Sequence, residues 1–383
     1  MAEFAALLFW LCTLLVFHSY VLFPAHMRKL TKRKQTFAPA VAPFPELDIL
    51  LAVHNEEDVI EAKVVATFAQ EYPARVRLLV GTDACTDATD RLLEQLKYRY
   101  PNLIHRRFLQ RTGKPQILNA LVQEATAPIL VLTDADALPD PACLLALVAP
   151  FADARIGGVQ ADVVVQTESS NEVALQEARY SYREMEIKRG ESRWGAVTGA
   201  FGAMYALRRE LFTPLPKGFI VDDFFLFQEV LRKGYQTVYN EDARYSLRIS
   251  GDARVQFRRK RRIGKGNFQN LWHFKSMLLG LNRISYCFWS HKVLRWLTPF
   301  LLGLAWLCSW RAAGLQPYYL VFFLGGWLLV MLASIDHWLF APLGLKTRIL
   351  RFIRHFLMMN LALVLGFSDA LRGNSQAWWS NKA

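Results

Sequence analysis

Hydrophobic and polar positions divide this chain into membrane-type segments and a long region of alternating short elements. Phe4–Phe23 is a nearly uncharged apolar run, long enough to cross a bilayer. Two more strong runs lie at about Leu297–Trp310, extending to either side, and about Pro317–Ile335; the short turn Arg311–Gln316 between them suits a membrane hairpin. A further stretch, about Ile349–Phe367, carries Arg351, Arg354 and His355 at one end, so it either spans or lies along the interface. Three spans would leave the C-terminus inside and four outside. From Leu47 the pattern changes. It predicts strands at Leu47–Val53, Arg75–Gly81 and Ile129–Thr133, and helices over Glu57–Gln70, Ala88–Lys97, Lys114–Glu124 and Pro141–Val148. Alternation of this kind makes a parallel sheet with helices on both faces. Such sheets bind ligands outside the carboxyl ends of their strands.

Charge sets the orientation. Arg28, Lys29, Lys32, Arg33 and Lys34 follow the first apolar run at once, which places the N-terminus outside and the next segment in the cytoplasm. The run has no basic start and no small-residue cleavage site, so it reads as an uncleaved anchor. Thr36–Pro45, with three prolines, reads as an extended linker. The formal net charge of +13 over 383 residues is concentrated beside the membrane segments. That distribution fits anionic headgroups or anionic substrates, and the spans and acidic strand ends argue against a nucleic-acid partner. The five cysteines (12, 85, 143, 287 and 308) show no metal-type spacing and read as free thiols.

Three polar clusters fall at strand ends: His54-Asn55-Glu56, Asp83 with Asp87, and Asp134-Ala135-Asp136. Two hard oxygen donors as close as Asp134 and Asp136 suit a divalent cation holding a diphosphate, although a solvated acidic turn has the same composition. No Gly-x-Gly-x-x-Gly follows the first strand and no Gly-Lys-Ser/Thr loop is present, so phosphates would be held by a metal and by cations. Lys114 and the run Arg258–Arg262 are the candidates. Val197–Met204 is rich in small residues; Gly199 and Gly202 there would let backbone approach a ligand closely beside Phe201, unless the segment is a plain tight loop. Trp194 suits either stacking on a ligand ring or core packing. His54 reads as a structural turn residue. Arg179–Arg193 alternates charges at helical spacing, as a solvated or interfacial helix does. Asn267–Ser290 mixes aromatic, apolar and basic residues, as an amphipathic interface helix does.

Five ordered segments resemble family 2 inverting glycosyltransferases, in the polytopic membrane branch that includes cellulose, chitin and hyaluronan synthases. They are LLAVHNEEDVIEA, LLVGTDACTDAT, GKPQILNAL, ILVLTDADALPDP and VDDFFLFQEVLRKGYQTVY; the basic segment FRRKRRIGKGNFQ follows them. The resemblance implies a GT-A-type α/β nucleotide-sugar-binding domain with a parallel-dominated sheet, plus transmembrane helices. Carried over residue by residue, it implies that Asn55 and Glu56 line the nucleotide pocket, Asp83 bonds the base, and Lys114 and Arg259 lie near the nucleotide. It implies that Asp134 and Asp136 share the diphosphate and a Mg2+ or Mn2+ ion, and that Arg262 binds the diphosphate. Asp223 aligns with the catalytic base, while Asp222 takes the place of the family's glutamate. Two positions depart from the pattern: Thr82 replaces the first acid of its pair, and Ile263 stands where processive synthases have the acceptor tryptophan.

The resulting expectation is a membrane-bound enzyme of five parts. These are an N-terminal anchor (1–25), a basic, proline-rich linker (26–46), a cytoplasmic transferase domain (47–266), interfacial amphipathic helices (267–295) and a C-terminal membrane region (296–383). The enzyme would sit in the inner, cytoplasmic membrane. It would move a sugar from a nucleotide donor of the UDP type to a hydroxyl acceptor, lipid or glycan, in surface-glycan or exopolysaccharide synthesis. Single-sugar transfer to a lipid such as a ceramide or hopanoid is the alternative, and a non-catalytic export subunit is the alternative of another class. Homo-oligomerisation stays open.

Overall fold

A computed structural model describes residues 1–32, 34–38, 42–166, 172–248, 252–340, 342–343 and 347–373. Arg33 of the basic cluster, positions 39–41 of the linker and 374–383 of the C-terminal region lie outside the described residues. The chain divides into two compact units. One is built on His26–Ala253 with His273–Cys287; the other combines Met1–Ala25, Arg254–Trp272 and the chain from Phe288 through the last described helix.

The first unit is organised by one mixed sheet of eight strands: β1 Leu47–Val53, β2 Val76–Asp83, β3 Leu103–Phe108, β4 Ile129–Thr133, β5 Leu138–Pro139, β6 Ile156–Gln166, β7 Met204–Arg208 and β8 Gln236–Arg248. Their order is β3-β2-β1-β4-β7-β6-β8-β5. β3, β2, β1 and β4 run parallel, β7 is antiparallel to both β4 and β6, and β6 and β8 are parallel. Every residue of β1 and of β4 is buried, as a central strand covered on both faces requires. Helices Ile60–Phe68, Thr89–Arg99, Lys114–Glu124 and Asp222–Arg232 connect or follow strands. The position of β7 matters for function. Because Thr133 pairs with Met204, the loop that enters β7 lies beside the acid loop that leaves β4.

One buried charge anchors the opposite edge. Asp48, fully buried in β1, accepts two bonds of 2.6 Å from Arg77 and two from the amides of Thr126 (2.7 Å) and Ala127 (2.8 Å). A buried carboxylate persists only when its lone pairs are filled in this way.

The helix Glu172–Ser192 differs from the solvated or interfacial helix its charges predict. Its face of Ser181, Glu184, Met185, Lys188, Glu191 and Ser192 is buried. The alternating charges lie on two sides: Arg179, Tyr180, Tyr182, Arg183 and Glu186 are exposed, while the polar residues between them point inward.

In the second unit the Ala2–Phe17 helix packs on Leu294–Ala312 through Ala5, Phe9, Cys12, Ala305, Cys308 and Ala312, joined by Tyr319 of Pro317–Ile335. Among the described residues four helices are long and apolar enough to cross a membrane: Ala2–Leu30, Arg283–Ala312, Pro317–Phe340 and Ile349–Leu371. Large apolar side chains such as Val321, Leu324, Trp327 and Leu328 point outward, which a lipid surround would cover. The basic segment is one continuous helix, Ala253–His273. The domain boundary expected at 266/267 therefore falls inside it, and the stretch expected as one interface helix is instead its end, a short 3-10 turn at Lys275–Leu279 and a helix from Arg283. Arg261 bonds Asp369 at 2.6 and 2.8 Å, which ties this helix to Arg348–Leu371.

Candidate active site

The strand ends of the sheet unit carry three loops whose polar groups are already organised. After β1, Asn55 takes a left-handed conformation (φ 56°), and its side chain accepts from Thr86 N at 2.8 Å. The amides of Glu56 and Glu57 donate to Thr89 Oγ1 (2.9 Å) and Asp87 Oδ2 (3.2 Å). The first two clusters thus interlock into one rim. These bonds also delay the following helix, which begins at Ile60 rather than Glu57. His54 Nδ1 donates to Asp83 O at 2.7 Å, a structural turn contact. Cys85 bonds into the same rim, and burial pushes its thiol up to about 11, so it is no nucleophile near neutral pH.

Asp83 is fully buried at the end of β2. Its carboxylate accepts from the amides of Thr112 (2.6 Å) and Gly113 (3.2 Å), with Arg111 Nε at 3.5 Å. It therefore fixes the loop that starts the Lys114–Glu124 helix and so places Lys114. Thr82 meets His105 Nε2 at 3.1 Å.

Lys114 is the centre of the arrangement. Its ammonium lies 2.8 Å from Asp134 Oδ1 and 3.5 Å from Asp222 Oδ2, so the helix after β3, the end of β4 and the helix after β7 meet at one point. Burial opposes the charge of Lys114, but Asp134, Asp222 and Asp223 hold its pKa above the ordinary lysine value. Tyr205 donates to Asp222 Oδ2 at 3.3 Å. Asp223, next in the chain, is pushed up to about 6 by burial and then by the neighbouring Asp222 charge, against the pull of Lys114 and Lys188. A carboxyl tuned that close to neutrality suits proton transfer.

Asp134 is 40% exposed on its side chain, and Asp136 follows at the same open edge. Among the described residues no three His, Cys, Asp or Glu side chains group to enclose a metal. Two carboxylates at an open edge fit Mg2+ or Mn2+ of the kind completed by water and a substrate diphosphate, rather than a closed protein cage. Lys63 lies beneath them, fully buried; it donates to Thr133 Oγ1 at 2.7 Å and to Ala137 O. Burial lowers its pKa to about 8, opposed by Asp134 and Asp136.

The small-residue segment borders the same site. Gly199 (φ 77°) leaves no room for a Cβ, which would lie 2.4 Å from Phe224, and a Cβ on Gly202 would lie 3.0 Å from Asp223 Oδ2. Phe201 is half-buried in this loop. Trp194 is half-buried and packs with His26 (centroids 5.3 Å apart), Tyr286 (6.0 Å) and the Arg283 guanidinium (5.7 Å). Arg259 and Arg262 lie on Ala253–His273, in the helical unit.

Asn55, Glu56, Asp83, Lys114, Asp134, Asp136, Asp222, Asp223, Gly199, Phe201 and Gly202 are thus all in the sheet unit. The sequence reading missed Lys63, Gln160, Lys188, Glu191 and Tyr205. Periodicity marks two of them: Lys63 shares a helical face with Ile60, Val64 and Thr67, and Lys188 shares one with Ser181, Met185 and Ser192.

A mixed sheet with acids and a lysine at its strand ends is the architecture of an α/β transferase domain. Residues 45–266, more than half of the chain, match the family model described as "Glycosyltransferase like family 2", and the chain belongs to that family of glycosyltransferases. Segments of 135 and 131 residues are 30% and 33% identical to beta-monoglucosyldiacylglycerol synthases of Synechocystis sp. and Nostoc sp.. These matches cover 34% and 33% of this chain and 28% of each relative's length. In fold, the chain resembles the mannosyltransferase PcManGT of Pyrobaculum calidifontis, solved in complex with GDP-Man and Mn2+. The TM-score is 0.72 at 21% identity, with 97% of this chain and 99% of that one covered. The GT-A-type α/β fold expected from the sequence is therefore present.

Proposed function

We propose that this glycosyltransferase moves a single hexose from a nucleoside diphosphate sugar, of the UDP type, to a hydroxyl of a membrane lipid. The convergence of Asp134, Lys114 and Asp222 beside Asp223 carries the chemical part of this reading. The acceptor class rests on the glucosyldiacylglycerol synthases among the relatives, on four membrane-length apolar helices and on Ile263 in place of the tryptophan of the processive synthases. Diacylglycerol is the acceptor those relatives suggest. Growth of a surface glycan is the second reading, favoured only by the resemblance to processive synthases.

In the ground state the donor's diphosphate lies along Asp134 and Asp136, with Asn55 and Glu56 at the nucleotide. Asp134 and Asp136 would hold a divalent ion, which would supply Lewis-acid stabilisation of the departing diphosphate. Lys114 adds a fixed positive charge where negative charge develops. On the opposite side of the anomeric carbon, Asp223 takes the acceptor's proton as the hydroxyl attacks. Asp222 and Tyr205 hold Lys114 and the acid edge in register. In-line attack inverts the anomeric centre, so an α-linked donor yields a β-linked lipid. The catalytic unit faces the cytoplasm of an inner membrane, where nucleotide sugars are made, with the apolar helices in the bilayer.

The test is a panel of nucleotide sugars offered to the purified protein in nanodiscs containing diacylglycerol, with Mg2+ or Mn2+. Metal-dependent release of nucleoside diphosphate that rises with diacylglycerol, with a β-anomeric lipid product by NMR coupling, is the expected result. An α-anomeric product, or release indifferent to both metal and lipid, would overturn it.

A further inference from the structure

The loop between Glu172–Ser192 and β7 is gripped from below by three buried polar side chains. Glu191 accepts from Thr198 N at 3.1 Å and from Thr198 Oγ1 at 2.8 Å. One helical turn earlier, Lys188 donates to the carbonyl of Gly199 and to Gln160 Oε1, the latter at 3.0 Å. Gln160 Oε1, from β6, also accepts from Phe201 N at 3.0 Å. Lys188 is 1% exposed, and Gln160 and Glu191 are fully buried.

The far side of the loop is equally constrained. The Gly199 and Gly202 positions lie against Phe224 and Asp223 so closely that neither tolerates a Cβ without displacement. Any shift of the loop therefore transmits directly to the start of the Asp222–Arg232 helix. A buried ammonium is an expensive way to hold a fold together, because desolvation offsets what its hydrogen bonds return. What a lysine adds over an apolar residue is several donors at a fixed point, which can join a carbonyl of the loop to a side chain of the sheet.

The geometry points to Lys188 as a positioning residue that, through Gln160, holds the Thr198–Gly202 loop in the shape that admits the acceptor hydroxyl to Asp223. This rests on the reading of Asp223 as the base and of the loop as the acceptor side. Lys188 holds the loop through the Gly199 carbonyl and Gln160, and its charge also pulls on the Asp223 carboxyl; Gln160→Leu loosens the loop without removing that charge. The donor half of the site has separate supports in Lys114, Asp83 and Lys63. Loss of the grip should consequently divide the two half-reactions available to the enzyme. Transfer to a lipid hydroxyl needs the loop. Hydrolysis, in which a water takes the place of the hydroxyl at the anomeric carbon and the diphosphate leaves as before, does not need a shaped acceptor surface.

The experiment uses the full chain in diacylglycerol nanodiscs and in nanodiscs without that lipid, with Lys188→Met and Gln160→Leu as independent variants. Both remove the grip, so one carries the test if the other fails to fold. Transfer is expected to fall about a hundredfold, the scale of a misplacement near 1 Å. Lipid-independent donor hydrolysis and nucleoside diphosphate–Mn2+ affinity should stay within about threefold of the parent. Equal losses of transfer and hydrolysis, or loss of nucleotide binding with them, would show that Lys188 supports only the fold and overturn the positioning role; unchanged transfer would overturn it too. Asp223→Asn, run alongside, separates the two layers. If it loses transfer while the Lys188 and Gln160 variants keep the parent's transfer-to-hydrolysis ratio, only the positioning role fails. If it transfers normally, the base assignment fails, and with it the destination given to the loop.

Discussion

Replacing Asp223 by asparagine should move activity and stability in opposite directions. The carboxyl is pushed from the ordinary 3.8 up to about 6 by burial and by Asp222. The folded state therefore binds this proton more tightly than the unfolded chain does. Stability from this group is highest in its protonated form, falls as pH rises from about 4 to about 6, and stays low above that. An amide mimics the protonated form, so Asp223→Asn should recover part of the loss at pH 7.5. Two units correspond to about 3 kcal/mol at most, and sharing of charge with Asp222 and Lys114 lowers this to about 1–2 kcal/mol. The same change removes the acceptor's proton sink, which is worth about 10²–10⁴-fold in rate, or about 3–5 kcal/mol of barrier. The assay pairs thermal melts with initial transfer rates from pH 5 to 8. The parent enzyme should lose rate about tenfold per unit below pH 6, whereas the variant's residual rate should be flat there and its melt higher at pH 7.5. A variant with normal turnover, or a parent rate indifferent to pH across 5–7, would refute the assignment.

Three further outcomes follow from the geometry. Asp134→Asn and Asp136→Asn should each weaken Mn2+ binding in the presence of nucleoside diphosphate by at least about tenfold, as removal of one of two hard anionic ligands requires, measured by the paramagnetic signal of free Mn2+. Asp48→Ala should cost about 3–5 kcal/mol, because it leaves the Arg77 guanidinium and two amides without their buried acceptor; the denaturation midpoint should fall while nucleotide affinity of the folded protein is unchanged. Gly199→Ala should destabilise by about 1–2 kcal/mol for the left-handed backbone alone and should reduce transfer further through Phe224, which melts and rates together would show.

How far the sequence spoke for itself depended on the burial of each element. β1 and β4, buried along their whole length, coincide with the predicted Leu47–Val53 and Ile129–Thr133, and Lys114–Glu124 coincides with its helix. β3 was not predicted, since an edge strand reading Leu-Ile-His-Arg-Arg-Phe buries only Leu103 fully and carries little apolar signal. Asp83, Asp134 and Asp136 were visible because acids at strand ends are conspicuous in a one-dimensional pattern, whereas Asp222 and Asp223, which begin a helix, were singled out by the family resemblance alone. Their supports were not. Lys63 and Lys188 fall at helical spacing from apolar or small residues, but their charge makes each read as a surface lysine until tertiary packing covers it, and the alternating charges of Arg179–Arg193 conceal that every third or fourth one points inward. Asp83, expected at the base, is legible as important but not as the acceptor of the Thr112 and Gly113 amides, because that contact joins two loops that only the sheet brings together.

The most direct measurement of the central claim is the intact mass of the product made in diacylglycerol nanodiscs from the accepted nucleotide sugar, Mn2+ and the purified full chain. A single lipid species heavier by one hexose residue, absent with Asp223→Asn, is expected. A ladder of hexose additions, a water-soluble polymer, or an unmodified lipid pool despite donor consumption would contradict single-sugar transfer to a lipid.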